Sequence, residues 1–295
     1  GCWEAQIPAF FVDERVLDVD KISAGKVMLA PFHITMNQSA SDKINAYLQN
    51  GGTLIAEFPF GMKTDTGDLW QKCPGGLTET FGCYVNDALP IDDRADEINL
   101  TGSSMNGEFA AASLPPGDFR QQFHITADDV EVLGTWRDGS PAVVTRQVGK
   151  GRVVLVGTLI FPAMGDASPE RRWTPWWQGL MQQAGVQPVV ELTMLSEAME
   201  PGVVQVARLD GKAEVDAPLY ILLNHGDAEV RLELQIQDTN GEVPKQAVDL
   251  NETEPRPFGI DTATVTMQLA PKQVAAIIDA RAVADLQVGQ EEVAS

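Results

Sequence analysis

The segment from Tyr47 to Phe58, with the sequence YLQNGGTLIAEF, constrains the fold of this chain more than any other. Its first residues end an amphipathic helix, and Gly51 and Gly52 then stop that helix because glycine adopts left-handed backbone angles at little cost. The next residues, Thr53–Ala56, form a short apolar run typical of a strand that is covered on both faces of a parallel sheet. A helix that returns into such a strand is half of a βαβ unit, so this segment predicts an α/β domain.

Two further strands and the start of the helix are predicted upstream. Ile7–Val12 is apolar and strand-like, and Lys26–Pro31 is a second strand that ends at its proline. Ser39 or Ser41 is a suitable N-cap for the helix. A doubly wound domain of flavodoxin-like order normally opens with a strand and a helix before these elements. Because Cys2–Gln6 leaves room only for the tail of that helix, we expect the first strand to be missing from this chain.

The rest of the first domain, which we place at residues 1–188, is rich in hairpin signals. Asp138-Gly139 and Gly149-Lys150-Gly151 are tight turns between apolar stretches. The second turn is superficially similar to a phosphate-binding loop, but it lacks the full motif and precedes a strand, so a hairpin is expected. The predicted elements are a short helix, three strands and a longer helix, at Leu77–Phe81, Val130–Trp136, Pro141–Val148, Arg152–Thr158 and Trp173–Ala184.

The second domain, at residues 189–282, has strand signals at nearly even spacing and no helical period. This pattern predicts a small antiparallel β-sandwich. An acidic tail follows at residues 283–295. The predicted strands of the sandwich are Val203–Leu209, Leu219–Asn224, Val230–Gln235, Thr264–Leu269 and Val274–Asp279.

The composition excludes several classes of partner. The chain has 295 residues, 44% of them hydrophobic, which is enough for two packed cores. Its formal net charge of −21 argues against binding to nucleic acid or to an anionic membrane surface, since both are negatively charged. No apolar run approaches the roughly 20 residues that are needed to span a bilayer.

The three cysteines are too few and too unevenly placed to form a disulfide framework. Cys73 and Cys83 lie in one loop region and could pair, although free thiols are the simpler expectation. Neither has a neighbouring histidine that would complete a zinc site, and no cofactor is expected. The absence of a disulfide framework favours a cytoplasmic protein.

The first domain resembles a class I glutamine-amidotransferase-like fold. Enzymes with that fold place a Cys or Ser nucleophile on a sharp turn after a strand, where a His activates it. The corresponding turn in this chain, Pro59-Phe60-Gly61-Met62, contains neither residue type. We therefore predict no catalytic residue, and a hydrolase that uses Cys73 or Cys83 is a weak alternative.

Four residues are candidates for lining a ligand or an interface. His33 follows a predicted strand, a position where sites often lie, and Phe60 stands in the turn that replaces the nucleophile. Trp173 and Trp177 share one helical face. Core or interface packing is the usual role of such a pair, and a sugar-stacking platform is the rarer alternative.

The two domains together resemble the C-terminal portion of a glycoside hydrolase family 42 β-galactosidase. Segments of the first domain are similar to that family's trimerisation domain, namely YLQNGGTLIAEFPFG, PGGLTETFGCYV, GSPAVVTRQVGKGRVVLVGT and WWQGLMQQAGV. Segments of the second domain are similar to the family's small C-terminal β domain, namely APLYILLNHGD and VTMQLAPKQVAAII. The resemblance rests on the order and spacing of these segments.

The resemblance implies a role in assembly. Enzymes of this family have a catalytic (β/α)8 barrel, then the amidotransferase-like trimerisation domain, then the small β domain. Their two catalytic glutamates, an acid/base and a nucleophile of a retaining mechanism, lie on the barrel, so no catalytic residue is carried over to this chain. The resemblance implies that the first domain packs around a threefold axis, as a homotrimer, and walls the active site of the neighbouring subunit.

The implied partner is a barrel-bearing glycosidase chain or a missing N-terminal part, which would also supply the first strand. Without that strand its neighbours would leave backbone hydrogen-bonding groups unpaired, unless the strand order is altered. The alternative hypothesis is a stand-alone carbohydrate-binding or scaffold protein whose β-sandwich binds sugar. Glycan binding by residues 190–282 alone would favour this alternative.

Overall fold

The computed structural model describes residues 2, 6–7, 9, 11–13, 27–91, 96–101, 113–160, 173–188, 190–196, 203–209, 218–235, 246–249, 257–259 and 264–279. The side chains at 173–175, 191, 246–249, 257–259 and 279 are excepted. The chain divides into two compact units. The first unit comprises residues 10–186, and the second comprises residues 2–9 together with residues from 187 onward.

The described part of the first unit contains more strand than helix. Its strands are β1 (Val27–Ala30), β2 (Thr53–Glu57), β3 (Cys83–Pro90), β4 (Ile98–Leu100), β5 (Ser113–Leu114), β6 (Phe119–Ile125), β7 (Glu131–Thr135), β8 (Pro141–Val148) and β9 (Gly151–Val156). Its helices are α1 (Gln38–Gln49), α2 (Thr78–Phe81) and α3 (Trp173–Gln183). None of the helices in the described part of the chain has the length and apolar character to cross a membrane.

Where the structure describes the first unit, seven strands form one sheet in the order β1-β2-β9-β8-β7-β4-β5. The first three strands are mutually parallel, whereas the other neighbouring pairs are antiparallel. β3 and β6 form a separate antiparallel ribbon. The carboxyl ends of β1, β2 and β9 therefore meet at one edge of the sheet.

Helices α1 and α3 lie on opposite faces of β2 and β9. Leu54 and Val153 belong to the core that α1 closes. Ile55 and Val154, the next residue in each strand, point to the other face and lie near Leu180 of α3. Burial on both faces explains why these strands are continuously apolar, as the Gly-Gly segment predicted.

The N-cap of α1 differs from the prediction. Asn37, rather than Ser39 or Ser41, caps the helix, and its side chain accepts a hydrogen bond from the main-chain N–H of Ala40 at 2.9 Å. The Ser41 hydroxyl is buried and donates to the carbonyl oxygen of Gly75 at 2.9 Å. Asn is as good an N-cap as Ser, so local sequence alone does not distinguish them.

The strand predicted at Ile7–Val12 is wrong at the residues that the structure describes there. Ile7, Ala9, Phe11 and Val12 lie outside strands, and the Phe11 side chain is fully exposed. An apolar run becomes a strand only where a neighbouring strand pairs with its backbone groups. Among the described residues, β1 pairs with β2 and with no second strand.

In its described residues, the second unit has two antiparallel sheets that share one apolar core. Its strands are β10 (Glu191–Met194), β11 (Val204–Leu209), β12 (Leu219–Asn224), β13 (Val230–Gln235), β14 (Gln246–Asp249), β15 (Pro257–Gly259), β16 (Thr264–Leu269) and β17 (Val274–Asp279). One sheet has the order β10-β13-β16 and the other β11-β12-β17-β14-β15. The five strands predicted here are confirmed to within one residue.

Gln6 pairs with the outer edge of β11 in the second unit. Its side-chain amide donates to the carbonyl oxygen of Val204 and accepts from the N–H of Val206, both at 2.8 Å. The residue is only 8% exposed. The amide thus makes the two hydrogen bonds that an added strand would make at this edge.

Candidate functional site

The carboxyl ends of β1, β2 and β9 bring three loops to one edge of the first unit, at residues 31–36, 58–70 and 157–160. Ligands of open sheets with parallel strands bind most often at this edge. The sequence had placed His33 and Phe60 there. We therefore take this edge as the candidate site.

The loops after β1 and β2 are joined into one layer, here called the loop platform and defined as residues 31–36 and 58–70. The N–H of Gly61 donates to the carbonyl oxygen of His33 at 2.8 Å, and that of Lys63 donates to Ile34 at 3.0 Å. The N–H of Met36 donates back to Lys63 at 2.7 Å. These backbone bonds fix the two loops against each other.

Two apolar side chains of the loop platform are exposed. Phe32 is 53% exposed and Leu69 is 67% exposed. The φ angle of Phe32 is 49°, in the left-handed region, which costs a residue with a Cβ atom about 1–2 kcal/mol. Phe32 therefore holds an unfavourable backbone conformation and gains little burial from it, a combination found where a residue serves binding rather than stability.

His33 and Phe60 are neighbours, and their ring centroids lie 5.9 Å apart. Phe60 is only 4% exposed and stacks on Phe81, with centroids 6.3 Å apart. His33 is half-buried. Of these two candidates, His33 is the one that reaches the surface, whereas Phe60 supports it from the core.

The tryptophan candidates lie on α3. Trp177 is fully buried, as is its neighbour Trp176. Trp173 is the first residue of the helix, and its side chain lies outside the described residues. The Trp177 ring therefore offers no accessible face to a sugar in this structure.

Glu57 is a buried carboxylate that the sequence analysis did not single out. It ends β2 and is 1% exposed, and its Oε2 accepts a hydrogen bond from the N–H of Ile160 at 2.5 Å. This bond ties the loop after β9 to the end of β2. The signal in the sequence was a charged residue directly after the apolar run of β2, because a charge in such a position needs a partner.

The cysteines are free thiols with little nucleophilic character. Burial raises the pKa of the Cys73 thiol, and it raises the pKa of the Cys83 thiol to about 12. Both thiols are therefore protonated at neutral pH, and the thiolate is the reactive form. Within the part of the chain that the structure describes, no cluster of His, Cys, Asp and Glu could hold a metal ion.

Comparison with known families decides what kind of chain this is. A family model described as the β-galactosidase trimerisation domain matches residues 2–170, which is more than half of the chain. The chain belongs to this family. The match covers the loop platform and the sheet that carries it.

Curated relatives of this trimerisation-domain chain are themselves β-galactosidases. The chain is 24% identical over 255 residues to the β-galactosidase LacZ of Heyndrickxia coagulans, which is 84% of this chain and 31% of that protein. It is 25% identical over 221 residues to the β-galactosidase BgaB of a Geobacillus species, which is 73% of this chain and 28% of that protein. The chain thus spans about a third of the length of these relatives.

The fold is shared with solved structures. Gan42B, a GH42 β-galactosidase from G. stearothermophilus, matches with a TM-score of 0.70 at 18% identity. The match covers 94% of this chain and 34% of Gan42B. Both units of this trimerisation-domain chain are therefore found, in the same order, within about a third of a longer polypeptide.

Proposed function

We propose that this chain is the non-catalytic assembly portion of a retaining β-galactosidase of glycoside hydrolase family 42. In this proposal the first unit packs around a threefold axis as a homotrimer, and the catalytic glutamates belong to a barrel-bearing partner or preceding part. The observation that carries the proposal is the match of residues 2–170 to the trimerisation domain. The names of the relatives support the reaction class.

The loop platform supports a second part of the proposal, that this chain walls the active site of a neighbouring subunit. It presents Phe32 and Leu69 to solvent on a backbone that is held by hydrogen bonds. A rigid surface with exposed apolar side chains suits contact with another subunit. His33 lies on the same surface, so we propose it as an interface or ligand contact.

The finer fold assignment belongs to the same proposal. Helices on both faces of β2 and β9 support an amidotransferase-like, doubly wound origin for the first unit, and the shared core of the two sheets supports a β-sandwich in the second. The outer edge of β1 has no strand beside it among the described residues. We propose that the barrel-bearing part supplies a strand at this edge.

Native mass spectrometry of the purified protein, first intact and then denatured, tests the proposal. We expect an assembly whose mass is a threefold multiple of a unit that contains this polypeptide and the catalytic part. That assembly should hydrolyse a β-galactoside. A lone folded copy of the 295-residue chain would overturn the proposal and favour a stand-alone carbohydrate-binding protein.

A further inference from the structure

The two sheets of the second unit have outer faces of opposite character. In the three-stranded sheet, β13 and β16 alternate so that apolar side chains enter the core and the others point outward. All six outward residues are polar, namely Arg231, Glu233, Gln235, Thr264, Thr266 and Gln268. This is the ordinary pattern of an antiparallel sheet with one face in water.

The five-stranded sheet departs from this pattern. Its inward residues on β11, β12 and β17, such as Val206, Leu222 and Ala275, belong to the shared core. The register of the three strands places the outward residues in three rows: Gln205, Leu223 and Val274, then Ala207, Ile221 and Ala276, then Leu209, Leu219 and Ile278. Eight of these nine side chains are apolar and none is charged. We call these nine residues the outer apolar face.

Part of the outer apolar face is exposed among the described residues, although Ile278 at one end of it is buried. Leu209 is 53% exposed and Val274 is 47% exposed, on different strands. The absence of charge from these nine residues is unusual for a chain with a net charge of −21. The outer face of the other sheet, by contrast, carries six polar residues. A contiguous apolar patch without charge is typical of the centre of a stable protein interface.

We propose that the outer apolar face is the docking surface for the catalytic part of the enzyme, a proposal that rests on the function proposed above. Two observations favour this occupant over a second copy of this chain. The match to the trimerisation domain ends at residue 170, before β11 begins, so we assign the contacts between copies to the first unit. This chain covers 31% of one relative and 34% of another. The remaining polypeptide in each relative is therefore about twice as long as the part that this chain covers.

Cysteine labelling compares the outer faces of the two sheets in the assembled enzyme. Leu209→Cys and Val274→Cys are made singly in a Cys2→Ser background, in which the buried Cys73 and Cys83 react slowly. Both positions are half-exposed on separate strands, so the substitutions disturb no core contact. Thr266→Cys and Gln268→Cys, on the polar outer face of the other sheet, are the matched controls.

In the assembly we expect maleimide labelling at positions 209 and 274 to be at least about tenfold slower than in the protein unfolded in urea, with a much smaller difference at the controls, because the centre of a stable interface excludes solvent. Labelling at positions 209 and 274 as fast as at the controls, in an assembly that contains the catalytic part, would overturn this inference and leave the assembly role standing. A purified assembly that lacks the catalytic part would overturn both proposals. Protection that is lost when the assembly is diluted into single copies of the full enzyme would assign the face to a contact between copies and overturn the inference. Protection that appears only with added galactose would assign the face to sugar and overturn the inference.

Discussion

The ring of Tyr47 fills the space in which a Cβ atom on Gly52 would lie, with the nearest ring atom 2.2 Å from that position. Tyr47 is 1% exposed, and its hydroxyl donates to the carbonyl oxygen of Thr53 at 3.3 Å. The ring is buried and bonded to β2, so it has little room to move aside. The second glycine of the pair is thus required by packing, in addition to any need at the helix end.

Gly52→Ala is therefore expected to destabilise the chain by about 1–3 kcal/mol through overpacking. Urea unfolding of the purified protein measures the loss. Gly67→Ala measures backbone strain alone, because a Cβ atom there meets nothing within 4 Å and its φ of 90° disfavours alanine, whereas Gly52 is not among the glycines with positive φ. A Gly52→Ala variant as stable as the wild type would show that the Tyr47 ring gives way and that packing does not require glycine at position 52.

Stability should fall in alkaline solution. Burial raises the pKa of Cys83 from 9.0 to about 12 and that of Tyr47 from 10.0 to about 12. Between these values the unfolded chain loses protons that the folded chain keeps, so the free energy of unfolding decreases as pH rises, by about 1.4 kcal/mol per pH unit for each group. Urea midpoints from pH 8 to pH 11 measure the slope. The decline should be shallower in Cys83→Ala, and an identical slope would mean that Cys83 does not contribute.

The bond between Glu57 and Ile160 predicts a difference between two substitutions. Glu57→Gln keeps the shape and an acceptor oxygen, whereas Glu57→Leu leaves the buried N–H of Ile160 without this partner. Leaving a buried donor unpaired costs about 1–3 kcal/mol, so the Leu variant should be the less stable of the two in urea unfolding. The same two substitutions at the exposed Glu131 should differ little. A Leu variant at position 57 as stable as the Gln variant would argue against a role for this bond.

Two substitutions of Phe32 separate its effect on stability from its effect on assembly. Phe32→Ala removes the ring but keeps the cost of the left-handed conformation, whereas Phe32→Gly removes the ring and that cost. The Gly variant should be more stable than the Ala variant by about 1 kcal/mol, since left-handed angles do not penalise glycine. If the ring contacts a neighbouring subunit, both variants should weaken the assembly on dilution. Assemblies as stable as the wild type would exclude Phe32 from the interface.

Elements with a strong local signal could be predicted from the sequence. A few neighbouring residues are enough to determine each of them, as at the Gly-Gly stop, at the Asp138-Gly139 turn and in the alternating strands of the second unit. The helix at Trp173–Gln183 was found in the same way. In these elements periodicity and turn chemistry agree with the packing, so local pattern was sufficient.

Elements that depend on distant partners could not be predicted. β3 is interrupted by the polar residues Asn86 and Asp87, and it is a strand because β6, about 35 residues later, pairs with it. Ile7–Val12 has the better strand composition and is not a strand at its described residues. The register between strands also cannot be predicted from the sequence. The alternation within β11 and within β17 is visible there, but the outer apolar face is recognised only when the strands are paired in the sheet.

The contact between Gln6 and β11 has a consequence for synthesis. Gln6 leaves the ribosome 198 residues ahead of Val204, whose carbonyl oxygen it will bind. At roughly 5–20 residues per second, the amino-terminal segment waits about 10–40 s for its partner strand. During that time residues 10–186 emerge and have the opportunity to fold, so the second unit is begun first and completed last.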